Sequence, residues 1–144
     1  MKLISLLEKL EYTCLQGSTD QEVKNVIYDS RKVEEGSLFI CIRGAVVDGH
    51  KFVPDVVAKG AKVLIVEEAV EAPEDVTVIL VKDTRYAMAF ISAAYFGYPA
   101  EKLKTIGITG TKGKTTTTYM VKSILENAGY KVGLIGTIEA IIGD

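Results

Sequence analysis

The sequence predicts an α/β protein with a largely parallel sheet, and three observations lead to that fold class. Short apolar runs of strand length alternate with stretches whose apolar residues recur at helical spacing. Glycine or polar turn residues bound most of these runs. Near the carboxyl end, a glycine-rich segment joins an apolar run to a helical stretch. Since crossover helices place parallel strands side by side, this alternation favours α/β layers.

The first 42 residues supply three of the predicted elements. Leucines at helical spacing predict an amphipathic helix over the first ten residues. Residues 23–28 form the next candidate, a strand that ends at the polar triplet Asp29-Ser30-Arg31. The nearly continuous apolar run 37–42 lies between two glycines and predicts a buried strand.

The remaining elements before Pro99 follow the same alternation. Asp48-Gly49-His50 predicts a turn, and the apolar stripe after it predicts a helix that ends at Gly60. Strands are expected at residues 62–66 and 77–81, and a helix at 85–96 with Gly97 as its terminator. Tyr98-Pro99 interrupts the pattern, and we place a domain boundary there, which gives domains 1–99 and 100–144.

Composition narrows the classes of function. A chain of 144 residues suits one domain or two small ones. Its net charge of −2 gives no electrostatic reason to expect nucleic acid as a partner. The amino-terminal stretch carries charges and does not resemble a signal peptide, and no segment is long enough to span a membrane. Cys14 and Cys41 lack metal-ligand spacing, so both are expected to be buried, reduced and unpaired.

A candidate phosphate-binding loop follows the predicted boundary. We expect a strand at residues 103–109, then the loop, a helix at 115–128 and a strand at 131–135. The loop residues that would bind ATP are Gly110, Thr111, Lys112, Gly113, Lys114, Thr115 and Thr116.

Within this loop, Lys114 is the candidate catalytic residue, because its ammonium would meet the outer phosphates. Thr115 is the candidate ligand for Mg²⁺. The loop departs from the common pattern, since Ile108 stands where a glycine is usual, and the glycines lie at 107, 110 and 113. The alternative interpretation is a simple glycine-rich turn between a strand and a helix.

The part of the chain after the loop has too few predicted strands to complete a nucleotide-binding sheet. One strand is predicted beyond the helix, and such sheets normally need more. Either the two predicted strands, 103–109 and 131–135, join the sheet of the first domain, or the chain is a piece of a longer protein. The second interpretation is favoured.

Several ordered blocks resemble the Mur ligases, ATP-dependent enzymes that extend the peptide of bacterial cell-wall precursors. The resemblance covers most of the chain and is closest to the member that adds the third residue of the stem peptide. The family resemblance rests on these blocks: Asp29-Ser30-Arg31, Gly36-Ser37-Leu38-Phe39, Gly44 with Val47-Asp48-Gly49-His50-Lys51-Phe52, and Gly110 to Thr116. The likeness to that member rests on Tyr98-Pro99 and on Gly129 to Ile138, which includes Gly133-Leu134-Ile135-Gly136-Thr137-Ile138.

The resemblance implies a three-domain enzyme, of which residues 1–99 are the UDP-sugar-binding domain and residues 100–144 open the central ATP-binding domain. By the family's pattern Ser30 contacts the sugar nucleotide, with Tyr28 nearby and Ala45, Val46 and Val47 on the facing loop. The alternative role for Ser30 is a cap at the strand end. Lys112 departs from the asparagine usual in the family.

The implied reaction is cytoplasmic and uses ATP and Mg²⁺. It joins UDP-MurNAc-L-Ala-D-Glu to meso-diaminopimelate or L-lysine through an acyl-phosphate. The family's other active-site residues lie beyond Asp144, so this chain alone is expected to be inactive. The alternatives are a Mur ligase that adds D-Ala-D-Ala, folylpolyglutamate synthetase, another phosphotransferase and a non-catalytic nucleotide-binding module. His50 is expected to be structural, and Asp29 and Arg31 to form a local ion pair.

Overall fold

A computed structural model of the chain describes residues 1–142. Backbone contacts divide the chain into two compact units, Met1–Leu103 and Lys104–Asp144, called here the first and the second unit. In the described range, no helix combines the length and the apolar character needed to cross a membrane.

The first unit is an α/β layer structure built on a five-stranded sheet. Its strands are ordered β1-β5-β4-β3-β2, and β2 to β5 run parallel while β1 is antiparallel to β5. This confirms the predicted fold class. Its elements are α1 (Leu3–Leu7), β1 (Thr13–Gln16), β2 (Asn25–Ile27), β3 (Ser37–Ile40), α2 (Val53–Ala58), β4 (Val63–Val66), β5 (Thr77–Leu80), α3 (Thr84–Tyr95) and α4 (Pro99–Lys102), with 3-10 turns at Ser30–Lys32 and Gly49–Phe52.

Both faces of the sheet are covered, which explains the continuous apolar runs in the sequence. Leu38 and Ile40 of β3 belong to the cluster under α1 and α3, while Phe39 and Cys41 belong to the cluster under α2. Alternate residues of β4 divide between the two clusters in the same way. A strand with two buried faces needs apolar side chains at every position, because successive side chains point to opposite faces.

Strand β1 was not predicted from the sequence. Its short segment, Thr13–Gln16, is mostly exposed and has no apolar alternation. Pairing with β5 and the Gln16 side chain, which donates to the carbonyls of Pro73 (2.6 Å) and Val76 (2.8 Å), hold it in place. Cys14 lies on this edge strand and is exposed, so the expectation that it is buried was wrong, whereas Cys41 is buried. Both thiols are free.

The parallel strands bring four connecting segments to one edge of the sheet. Residues 28–31 follow β2, residues 43–48 follow β3, Glu67 follows β4, and Asp83 follows β5. Because the carboxyl ends of parallel strands lie at the same edge, these segments are neighbours there. This edge is the first candidate site.

The second unit contains α5 (Lys114–Asn127), β6 (Leu134–Ile135) and β7 (Ala140–Ile141). The prediction of a strand at 103–109 was wrong, since the structure assigns none there. A strand needs a hydrogen-bonded partner, and within residues 104–142 the two strands pair antiparallel with each other. Among the described apolar side chains of this unit Leu134 alone is buried, and the most exposed include Ile106, Met120, Ile124, Ile135 and Ile142.

Gly49 is a position where a side chain has no room. A Cβ there would lie 2.7 Å from the nitrogen and 2.8 Å from the oxygen of Ile42. We expect Gly49→Ala to destabilise the first unit by about 1–3 kcal/mol, because backbone atoms must move to admit the methyl group. Thermal unfolding followed by circular dichroism measures the change. Gly107→Ala is the control, since nothing lies within 4 Å of its Cβ position. Equal melting temperatures for Gly49→Ala and the wild type would contradict the prediction.

The two cysteines are expected to differ in reactivity. Burial, with a smaller contribution from the Asp48 carboxylate, raises the pKa of the Cys41 thiol to about 12, whereas Cys14 is exposed. Since the thiolate is the nucleophile, iodoacetamide at pH 8 should alkylate Cys14 in the native protein and Cys41 only after denaturation. Peptide mass spectrometry measures the labelling. The variant Cys14→Ser should take up no label while folded, and rapid labelling of that variant would show that Cys41 is accessible.

Candidate functional site

The segment after β2 is stiffened by Asp29. Its Oδ1 atom accepts a hydrogen bond from the backbone N–H of Arg31 (3.1 Å), and its carboxylate binds the Arg31 guanidinium at 2.9 and 2.7 Å. These bonds, first from the side chain and then from the backbone of Arg31, hold the pKa of the Asp29 carboxyl well below its usual range. The predicted local ion pair is therefore present, and the residue that caps this turn is Asp29, not Ser30.

Ser30 opens the 3-10 turn and is half-buried. Its carbonyl accepts a hydrogen bond from Lys59 Nζ (3.0 Å), and the same ammonium contacts Asp55 Oδ2 at 2.7 Å. Within residues 1–142 no hydrogen bond involves the Ser30 hydroxyl. The backbone of Ser30 is thus fixed to α2 while its hydroxyl can serve a ligand. Tyr28, two residues earlier, is 67% exposed.

Residues 43–48, called here the edge loop, form a tight turn after β3. The N–H of Gly44 donates to the carbonyl of Val47 (2.9 Å), and Arg43 and Asp48 pair across the base of the loop. Ala45, Val46 and Val47 form the exposed tip, and Val46 is 95% exposed. Because these three side chains are apolar, polar recognition by the tip has to use its main-chain N–H and C=O groups.

A partly buried hydrogen-bond network adjoins the edge loop. The His50 side chain is 5% exposed, and its Nδ1 lies 2.6 Å from Asp48 Oδ1. Its Nε2 accepts the backbone N–H of Glu67 at 3.0 Å. The Glu67 carboxylate accepts two further bonds, both of 2.8 Å, from the backbone N–H and the hydroxyl of Thr84. Hydrogen bonds from the backbone and then the ring of His50 lower the pKa of Asp48 to about 2.

This network agrees with the structural role expected for His50, but sequence reasoning missed Glu67 and Thr84. The available signal was weak: Glu67 is the first residue after a predicted strand, and Thr84 directly precedes the predicted helix 85–96. One ligand atom each from Asp48, His50 and Glu68 lie within 4.8 Å of one another, as in some cation sites. Both His50 nitrogens are already hydrogen-bonded, and Arg43 binds both carboxylates, so a hydrogen-bonded cluster accounts for this group.

The second candidate site is the loop before α5. Gly110 and Gly113 have φ angles of 145° and 75°, a region that strongly favours glycine, whereas Gly107 needs no such conformation. Lys114 begins the helix, and its Nζ donates to the carbonyl of Gly110 (2.6 Å) across the loop. The first N–H group with an intrahelical partner belongs to Thr117, which donates to the Gly113 carbonyl (2.9 Å). The N–H groups before it, at the helix start, have no carbonyl partner within the helix.

The other predicted loop residues surround this helix start. Thr115 is half-buried, while the remaining members are exposed: Thr111, Lys112, Gly113 and Thr116. Backbone N–H groups at a helix start, next to a lysine, form an arrangement that accepts an anion. The strand that normally precedes such a loop is absent from the described residues, so the loop is recognised by its glycine conformations and by its helix.

Comparison with known proteins gives two family matches. Residues 22–96 match the Mur ligase family, catalytic domain, and residues 108–143 match the Mur ligase middle domain. A UDP-N-acetylmuramoyl-L-alanyl-D-glutamate--2,6-diaminopimelate ligase from Clostridium perfringens is 54% identical over 144 residues, which is 100% of this chain and 30% of that protein.

Solved structures of this family are also similar. One UDP-N-acetylmuramoyl-L-alanyl-D-glutamate--2,6-diaminopimelate ligase matches with a TM-score of 0.74 over 99% of this chain and 28% of its own, at 23% identity, which supports the fold. The UDP-N-acetylmuramoylalanyl-D-glutamyl-2,6-diaminopimelate--D-alanyl-D-alanyl ligase from Acinetobacter baumannii matches with a TM-score of 0.67 and 35% identity, over 88% of this chain and 28% of its own.

The chain spans about 30% of the length of the curated relative from Clostridium perfringens. The first family match covers more than half of the chain, from the segment before β2 through α3, and the second covers the loop and α5. On this evidence the chain belongs to the Mur ligase family.

Proposed function

We propose that this chain is part of an ATP-dependent ligase that adds the third amino acid to UDP-MurNAc-L-Ala-D-Glu through an acyl-phosphate. The observation that carries the proposal is the 54% identity, over the whole chain, to a ligase named for diaminopimelate addition. The two candidate sites have the chemistry that such an enzyme needs, since one offers polar groups at a sheet edge and the other an anion-binding loop.

The first unit is proposed to bind the sugar nucleotide. The Ser30 hydroxyl has no other hydrogen bond within the described residues, and its backbone is held by Lys59. The exposed ring of Tyr28 offers a surface for stacking, and Ala45, Val46 and Val47 offer main-chain groups from the edge loop. A ligand at the carboxyl edge of the parallel strands would meet all three segments.

The second unit is proposed to bind ATP with Mg²⁺. Gly110 to Thr116 would surround the phosphates with backbone N–H groups, and the Lys114 ammonium would exchange the Gly110 carbonyl for a phosphate oxygen. Bound Mg²⁺ would supply charge neutralisation at the phosphates, and Thr115 is the residue proposed to hold it. Lys114 would stabilise the charge that develops as the substrate carboxylate attacks the terminal phosphorus.

The amino acid added is proposed to be meso-diaminopimelate, not L-lysine. The support is the name of the 54% identical relative. The D-alanyl-D-alanyl ligase is less similar at 35% identity, which makes D-Ala-D-Ala addition the weaker candidate. UDP-sugars and ATP are the proposed substrates, so we place the reaction in the cytoplasm, where both are available.

Removal of the Ser30 hydroxyl should weaken binding of the sugar nucleotide. We expect Ser30→Ala to lower the affinity for UDP-MurNAc-L-Ala-D-Glu by about 3- to 10-fold, the loss typical of one hydrogen bond. Isothermal titration calorimetry of the purified chain measures it. Ser5→Ala is the matched control, because Ser5 is exposed on α1. Equal affinities for the wild type and Ser30→Ala would argue against a role for this hydroxyl.

The chain by itself should release no phosphate from ATP in the presence of UDP-MurNAc-L-Ala-D-Glu and diaminopimelate, since it spans only 30% of the length of the ligase from Clostridium perfringens. In a longer form with the remaining family domains, Lys114→Ala should reduce turnover by about 100-fold or more, because a phosphate-binding charge is lost. A coupled phosphate-release assay measures both. Lys131→Ala, an exposed lysine outside the loop, is the control. Ligation by the short chain, or full activity of Lys114→Ala, would refute these expectations.

A further inference from the structure

We propose that His50 is a positioning residue for sugar-nucleotide binding, and that it fixes the edge loop through a neutral ring whose Nδ1 carries the proton. The inference rests on the proposed function of the first unit. It gives His50, a buried residue outside the edge loop, a role in positioning that loop, which the family matches do not describe.

The protonation state of the ring follows from its partners. A backbone N–H can only donate, so the Glu67 N–H at 3.0 Å requires a lone pair on His50 Nε2. The proton of the neutral ring is then on Nδ1, where it is donated to Asp48 Oδ1 at 2.6 Å. A proton on Nε2 would point at the Glu67 N–H, and two donors cannot form a hydrogen bond with each other. The arrangement therefore favours the Nδ1–H tautomer.

Asp48 connects the ring to the edge loop. Its Oδ1 atom accepts both the His50 ring and the His50 backbone N–H (3.0 Å), and its Oδ2 atom accepts Arg43 Nε at 3.1 Å. Arg43 and Asp48 are the two ends of the loop, so their pairing closes its base. The ring therefore ties the base of the edge loop to the chain just after β4.

The other end of the connection is held by hydrogen bonds to a buried residue. Glu67 directly follows β4, and its carboxylate binds the backbone N–H and hydroxyl of Thr84, the first residue of α3. Thr84 is fully buried. His50 thus anchors a surface loop to a strand end and a helix start that are themselves part of the packed core.

The edge loop needs such an anchor because of how its tip would recognise a ligand. Ala45, Val46 and Val47 have no polar side-chain atoms, so binding depends on where the main chain lies. Main-chain recognition requires the backbone to be held close to its bound position, and a loop that must be ordered on binding lowers the affinity. Loss of the His50 ring should leave the Glu67–Thr84 contact and the Arg43–Asp48 pair in place, but it should detach the base of the loop from the chain after β4.

The experiment uses the whole chain with UDP-MurNAc-L-Ala-D-Glu as the probe, at a temperature where every variant is folded. We expect His50→Ala to weaken binding by about 10-fold, the cost of ordering a released loop. His50→Asn keeps a donor near the Nδ1 position, and His50→Gln keeps an acceptor near the Nε2 position, so both should recover part of the affinity. Lys51→Ala, a change at the neighbouring exposed lysine, should bind like the wild type.

Two spectroscopic readouts do not depend on the ligand. Nitrogen-15 NMR of the His50 ring should show the Nδ1–H tautomer at pH 7.5. Hydrogen exchange of the Glu67 amide should be slow in the wild type and in His50→Gln, and faster in His50→Ala. If His50→Ala does not fold, His50→Gln and His50→Asn still provide the comparison of affinities.

The outcomes distinguish sugar-nucleotide binding by the first unit from the positioning role of His50. Failure of the wild-type chain to bind the probe would overturn the proposed function of the first unit, and this inference with it. Binding by the wild type together with unchanged affinity in folded His50→Ala, or in folded His50→Asn and His50→Gln if the alanine variant does not fold, would overturn the positioning role alone. An Nε2–H or doubly protonated ring at pH 7.5 would also overturn it.

Discussion

Burial of both faces of the parallel strands is the constraint on which the first unit depends. Residues 38–41 and 63–66 alternate between two apolar clusters, one beneath α1 and α3 and the other beneath α2. Sheets of parallel strands typically have both faces covered in this way, and their strands are joined by crossover connections. The same arrangement sends every connection after a parallel strand to one edge, and the candidate sugar-nucleotide site consists of those connections.

The edge combines fixed and exposed parts in a way that suits ligand binding. Asp29 binds Arg31 and Lys59 binds the Ser30 carbonyl, so the backbone there is held while the Ser30 hydroxyl is not used. Most of the ion pairs are on the surface, where screening by solvent leaves them little effect on stability. Their effect here is to orient the chain near the site. The hydrogen bonds of the His50 ring do the same for the edge loop.

The second unit has a formed loop and helix with little core around them. Positive φ angles at Gly110 and Gly113 and the Lys114 bond to Gly110 shape the loop locally. By contrast, α5 has no buried residue, and residues 103–109 have no strand partner. Local chemistry is enough to form a helix start with exposed N–H groups. A sheet, however, requires partners from elsewhere in a chain, and the described part of this unit supplies only a two-stranded pair.

The sequence by itself determined the α/β class, the buried strands β3, β4 and β5, the helix after Gly113 and the family, because apolar periodicity, glycine conformations and contiguous motifs are local properties. Only the tertiary structure decided three other features. Strand β1 exists through pairing with β5, the region 103–109 is not a strand for want of a partner, and Cys14 is exposed because it lies at the sheet edge. Glu67 meets His50 across 17 residues of sequence, Thr84 meets Glu67 across another 17, and no local pattern encodes such contacts.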